Sequence, residues 1–147
     1  MTAGGLRWGV RASFLDYLRG LDDGEVAATG DASFDGGGFE FPLADAAGFD
    51  PASGRGVLAF SGAARFRGHG GMLDLLLADP HLECTDEGVL TVAVDGRRVP
   101  FATVGLRTGW TDAPTALTRE GAALLNDVYR PGTQLDPLSV WIDFGRR

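Results

Sequence analysis

A phenol and an imidazole are the side chains of this sequence best placed to do chemistry. Tyr17 follows Ser13 by one helical turn in the stretch Leu6 to Leu21, LRWGVRASFLDYLRGL, so a hydroxyl and a phenol project side by side. His69 lies in Gly68-His69-Gly70-Gly71, where the flanking glycines permit positive φ and the close approach of another group. Each residue has two readings at this point. Tyr17 is either a core phenol with its hydroxyl satisfied or a group that meets a ligand, and His69 is either a solvated loop histidine or part of a site. His81, directly after Pro80, reads as a strand-end residue. A metal set drawn from His69, Asp74, Asp79 and His81 follows no known ligand spacing. A Ser-His-Asp hydrolase lacks a serine in a G-x-S-x-G setting. The glycines of GGG and GRG lack the strand, helix and lysine of a phosphate-binding loop.

The elements that must position these groups follow from periodicity. Val10, Phe14, Tyr17, Leu18 and Leu21 form one helical stripe, with Arg11, Asp16, Arg19 and Asp22 opposite. From Glu25 to Leu106 the period falls to two. This predicts strands at Glu25 to Thr29, at Gly38 to Leu43 with Phe39, Phe41 and Leu43 on one face, and at Gly56 to Arg67 with a bulge or bend at Gly62. Residues 44–56 read as an irregular connection. Further strands are expected at Met72 to Leu77 and, beyond Pro80, at His81 to Thr85, followed by a hairpin of Gly88 to Asp95 with Val99 to Leu106. Thr118 caps a second helix whose stripe is Ala122, Leu125 and Val128 or Tyr129, stopped by Arg130-Pro131-Gly132. Leu138 to Phe144 closes the chain as a strand. The order predicts a single α+β domain over residues 1–147, mainly antiparallel and sandwich-like, with two helices packed on it.

Composition narrows the function. The net charge of -7 and the scattered arginines argue against a nucleic-acid partner, which needs clustered cations. Cys84 is the single cysteine, so no intrachain disulfide forms, and a buried, inert strand position is expected for it. No run is long and apolar enough to span a bilayer, and MTAGGLRWGV has no signal-peptide pattern. The chain as written reads as soluble and cytoplasmic, or as extracellular or cell-surface if it is a processed fragment.

Three fragments resemble the HtaA domain, the heme-transport-associated family. They are WGVRASFLDYL at Trp8 to Leu18, GVLAFSGAARFRGHGGMLDL at Gly56 to Leu75, and LTREGAALLNDVYRPGTQLDP at Leu117 to Pro137. The S-x-x-x-Y of the first and the G-H-x-G of the second are the informative parts. The resemblance implies a β-rich, non-enzymatic domain that binds ferric heme b, in uptake, transfer or storage, with a heme donor or acceptor protein as partner. It implies Tyr17 as the axial phenolate ligand to iron, Ser13 in the same pocket, His69 as hydrogen-bond donor to the phenolate, and Tyr129 as a further pocket residue. Gly70 stands where relatives commonly carry an acidic residue. The chemistry is compatible: ionising an ordinary phenol at pH 7 costs about 4 kcal/mol, which ferric iron and an imidazole hydrogen bond would offset. An apolar slot is expected from Val10, Phe14 and the Leu58, Phe60 and Phe66 face, with the propionates either meeting Arg65 or Arg67 or pointing to water. Two rival functions are weighed against this one. The fold could have lost heme and serve as a protein-interaction or structural domain, which predicts a fully packed Tyr17, or it could be a metal-dependent or heme-using enzyme.

Overall fold

The computed structural model describes residues 3–143; Phe144, expected on the apolar face of the last strand, lies outside them. The first element is a strand, β1 (Ala3–Trp8), and only then a helix, α1 (Ala12–Arg19). The single helix expected over Leu6 to Leu21 is therefore two elements. Leu6 and Trp8 alternate with Arg7, and in the sheet they stand opposite Phe41 and Phe39 on one neighbour and Val140 and Leu138 on the other. Burial of these pairs overrides the helical spacing. Val10, buried at φ 60, turns the corner between strand and helix. Within α1 the buried side chains are Phe14, Leu15 and Leu18, and Tyr17 is turned outward.

The strands close on themselves. In chain order they continue as β2 (Glu25–Thr29), β3 (Ser33–Phe34), β4 (Phe39–Asp45), β5 (Phe49–Asp50), β6 (Arg55–Phe60), β7 (Ala63–Gly68), β8 (Leu73–Cys84), β9 (Gly88–Val94), β10 (Arg97–Val104), β11 (Ala113–Leu117) and β12 (Gln134–Asp143). Neighbours run β8-β9-β10-β11-β12-β1-β4-β6, and β6 pairs back to β8 through Gly56 with Cys84 and Ala59 with His81. This is an eight-stranded antiparallel barrel, which corrects the sandwich expectation. The reason lies in β8, expected as two strands split at Pro80 but continuous over twelve residues. The register of β8 with β9 shifts between Ala78 and His81, a bulge where Pro80, with no N–H, is tolerated. There the strand bends, leaving β7 as partner of its first half and gaining β6 for its second.

Leu6, Trp8, Phe39, Phe41, Leu58, Phe60, Leu82, Leu90, Phe101 and Leu138 fill one continuous core, with the Trp8 and Phe101 rings edge-to-face at 5.7 Å. Outside the ring, β2, β7 and the first half of β8 form a three-stranded flap. Helix α1 covers the face of this flap that carries Phe66 and Gly68, with the Phe14 and Phe66 rings 5.4 Å apart. The second helix, α2 (Arg119–Leu124), is shorter than expected. Asn126 and Asp127 take positive φ immediately after it, so Val128 and Tyr129 belong to a loop. Thr118 caps it as expected, accepting the Gly121 N–H at 2.8 Å.

Candidate functional site

The outward turn of Tyr17 brings its phenol to the loop after β7. Tyr17 Oη and His69 Nε2 are hydrogen-bonded at 2.6 Å, and Tyr17 remains 51% exposed. Local sequence explains how the loop reaches the helix. Gly68 lies beneath α1, where an added Cβ would come within 3.0 Å of Leu21 Cδ1 and 3.4 Å of Leu18 Cδ2. His69, Gly70 and Gly71 then take φ of 54°, 63° and 93°, a left-handed run that reverses the chain before β8. The Met72 N–H closes the turn on the His69 carbonyl at 3.1 Å.

A third segment completes the surroundings. Asn126 Nδ2 donates to the Met72 carbonyl at 3.3 Å, tying the loop after α2 to the histidine loop. Tyr129, in the same loop, meets the Phe14 ring edge-to-face at 6.1 Å and carries the Arg11 guanidinium 5.1 Å above its ring. Contacts therefore run from α1 to the histidine loop, on to the 126–129 loop and back to α1. Met72 and Val128, from the last two segments, are 82% and 73% exposed. A half-exposed phenol with an imidazole on its oxygen can serve as an oxygen donor to a cation, and Met72 and Val128 add exposed apolar surface on the two connected loops.

Of the residues named from sequence, the structure brings Tyr17, His69, Phe14 and Tyr129 into this neighbourhood, and Ser13 is exposed one turn before Tyr17 on α1. Phe14 itself is buried, so it supports the surface from below. Other expectations need correction. Val10, Leu58, Phe60 and Phe66 are fully buried and cannot line an open slot. Arg65 and Arg67 alternate with Ala64, Phe66 and Gly68, so they lie on the face of β7 away from α1. There Arg65 pairs with Asp74 at 3.3 Å, and Arg67 with Asp74 at 3.7 Å and Glu25 at 3.8 Å. The metal set is dispersed. Leu73 and His81 are roughly 25 Å apart along β8, Asp79 accepts the Gly62 N–H, and no cluster of three potential ligands occurs among the described residues. His81 is half-buried within β8 rather than at a strand end.

Sequence reasoning missed Met72, Val128, Asn126 and Asp23, whose carboxylate accepts the Gly70 N–H at 2.6 Å. Only Met72 carried a signal, as a large apolar residue beside a glycine-rich turn; the others come together through folding alone. No helix among the described residues is long and apolar enough to cross a membrane.

The family model of HtaA matches residues 3–141. The C-terminal domain of HtaA from Corynebacterium glutamicum is 31% identical, with 94% of each chain covered and a TM-score of 0.77. The N-terminal domain of the same protein has a TM-score of 0.85 at 23% identity over 98% of each chain. The heme binding protein HtaB of that organism is 19% identical, with a TM-score of 0.73 over 97% of this chain and 96% of its own. No curated protein matches.

Proposed function

Because the chain belongs to the HtaA family, we propose that it binds ferric heme b through the phenolate of Tyr17, for heme uptake or transfer. The observation that carries this reading is the half-exposed Tyr17 phenol held at 2.6 Å by His69 Nε2. A phenol kept only for packing would be covered. Here the oxygen is hydrogen-bonded to His69 and the ring stands half exposed on α1, the helix that meets both the histidine loop and, through Phe14 and Tyr129, the 126–129 loop.

The residues fit the group chemically. Ferric iron, when bound, supplies a hard cation that favours an anionic oxygen ligand. His69 Nε2, carrying its proton, donates to the phenolate oxygen, stabilising the anion and fixing the direction of its remaining lone pairs. The helical setting of Tyr17 makes the ligand rigid, because Phe14, Leu15 and Leu18 anchor α1 to the core. Met72 and Val128 offer apolar surface to the macrocycle, with the partly buried Tyr129 beside them, and Ser13 offers a hydroxyl from α1. With Tyr17 half exposed, bound heme stays within reach of a donor or acceptor protein. That openness favours transfer over storage.

Titration of the purified protein with hemin tests the proposal. Saturable uptake with the charge-transfer absorption of a tyrosinate-ligated ferric heme is expected. Tyr17→Phe should lose that absorption and at least about 100-fold in affinity, and His69→Ala about 10- to 100-fold. Saturable binding that survives Tyr17→Phe unchanged would remove Tyr17 as the ligand, and no uptake by the unaltered protein would remove the function.

A further inference from the structure

We propose that Asp23 is a positioning residue for His69, holding the imidazole against the Tyr17 phenol by way of the Gly70 backbone. Its consequence for heme rests on the function proposed above, whereas its geometry stands without a ligand. Asp23 Oδ2 accepts the Gly70 N–H at 2.6 Å, one residue beyond the histidine. The carboxylate projects from the turn joining α1 to β2, and that turn is tightly built. The Leu21 and Gly24 N–H groups donate to the Leu18 and Leu21 carbonyls at 3.1 and 3.2 Å, and a Cβ at Gly24 would run into the Leu18 carbonyl oxygen.

Asp23 and Tyr17 thus belong to one rigid piece, and three successive residues of the loop meet it. Gly68 packs under Leu18 and Leu21, the His69 ring bonds Tyr17, and the Gly70 amide bonds Asp23. The clamp is needed because His69 has a Cβ yet sits at φ 54, a backbone conformation that non-glycine residues disfavour. The adjoining Gly70 and Gly71 add no side chain to restrain the turn. The ring bond alone fixes one atom of the imidazole. The charged hydrogen bond at the next amide fixes the backbone that carries it.

Asp23→Ala and Asp23→Asn separate this role from general stability. In the ligand-free protein, the Gly70 amide proton of Asp23→Ala should shift upfield and the single set of His69 ring signals should broaden or average. Asp23→Asn, whose side-chain oxygen still accepts, should restore both. After loading with hemin, Asp23→Ala should release heme to excess apomyoglobin about tenfold faster, and Asp23→Asn at close to the original rate. In a His69→Ala background the Asp23→Ala change should add nothing further, since its effect runs through the imidazole. Unchanged His69 and Gly70 signals in Asp23→Ala, or strictly additive effects of the two alanine changes, would overturn the inference. If the unaltered protein takes up no hemin, the heme reading fails, and the ligand-free signals still decide the role of Asp23.

Discussion

Tyr17 and His69 lie 52 positions apart in the chain, and what makes them a pair is the contrast between their exposure and the burial of the chain's other reactive groups. Cys84 is buried on β8, where burial pushes its thiol up to about 11, so it has the inert character expected of a core cysteine. His81, half-buried on the same strand, titrates below the ordinary histidine value of 6.5, first because burial disfavours its cation and then because Arg98 repels it. Asp79, Glu83 and Asp45 oppose that shift. Below pH 6.5 the unfolded chain takes up this proton while the fold resists it, so the stabilising difference present above 6.5 is lost as the pH falls. The urea midpoint should therefore drop between pH 7.5 and 5.5, and His81→Gln should flatten the drop; an equal drop in the variant would exclude His81 as its source. Local pattern made Tyr17 and His69 candidates, one a turn after Ser13 and the other between glycines, but it put Tyr17 on the apolar stripe, and only the family resemblance joined the two. Asp23 and Asn126 were invisible because each acts on a backbone group 47 or 54 positions away.

At the scale of elements, hydrogen bonds to single side chains decide where helices begin and what they dock on. Thr118 Oγ1 accepts from Gly121 N and also lies 2.7 Å from the Pro100 carbonyl oxygen and 3.0 Å from that of Phe101, so one hydroxyl both starts α2 and fastens it to β10. Thr118→Ala should cost about 1 to 2 kcal/mol in urea unfolding and Thr118→Ser much less; equal losses would show that the methyl group, not the hydroxyl, does the fastening. This cap was legible because its signal lies within four residues. The start of α1 was not. Leu6 and Val10 are spaced as a helix would space them, and the strand is selected by Phe41, Val140, Phe39 and Leu138 on neighbours that the local sequence does not contain. Pro80 misled in the same way. A proline normally ends a strand, but at a bulge its missing N–H costs no ladder bond, and β8 runs through it.

For the molecule as a whole, barrel closure divides the sheet into a ring whose strands are paired on both sides and a flap that ends in an edge strand. The ring strands β9 to β12 have a partner on each side, whereas β2 pairs only with β7 and carries one end of the sheet. Neither closure nor flap could be read from alternation, which is the same for a barrel wall and a sandwich face. Both depend on the bend that hands β8 from β7 to β6. The proposed heme-binding residues Tyr17 and His69 sit on α1 and on the loop at the end of β7, so they belong to the flap side of this division. Amides of β2, α1 and the His69–Met72 loop should exchange hydrogen through local opening, and those of β9 to β12 only near the rate of global unfolding. Adding hemin should slow exchange in the first group and leave the second unchanged, because tying α1 to its loop does not alter a ring that is already closed. Mass-resolved hydrogen exchange with and without hemin measures both groups in one experiment. Uniform slowing around the barrel would mean that ligand stabilises the whole fold, and the flap would then have no mechanical independence from the ring.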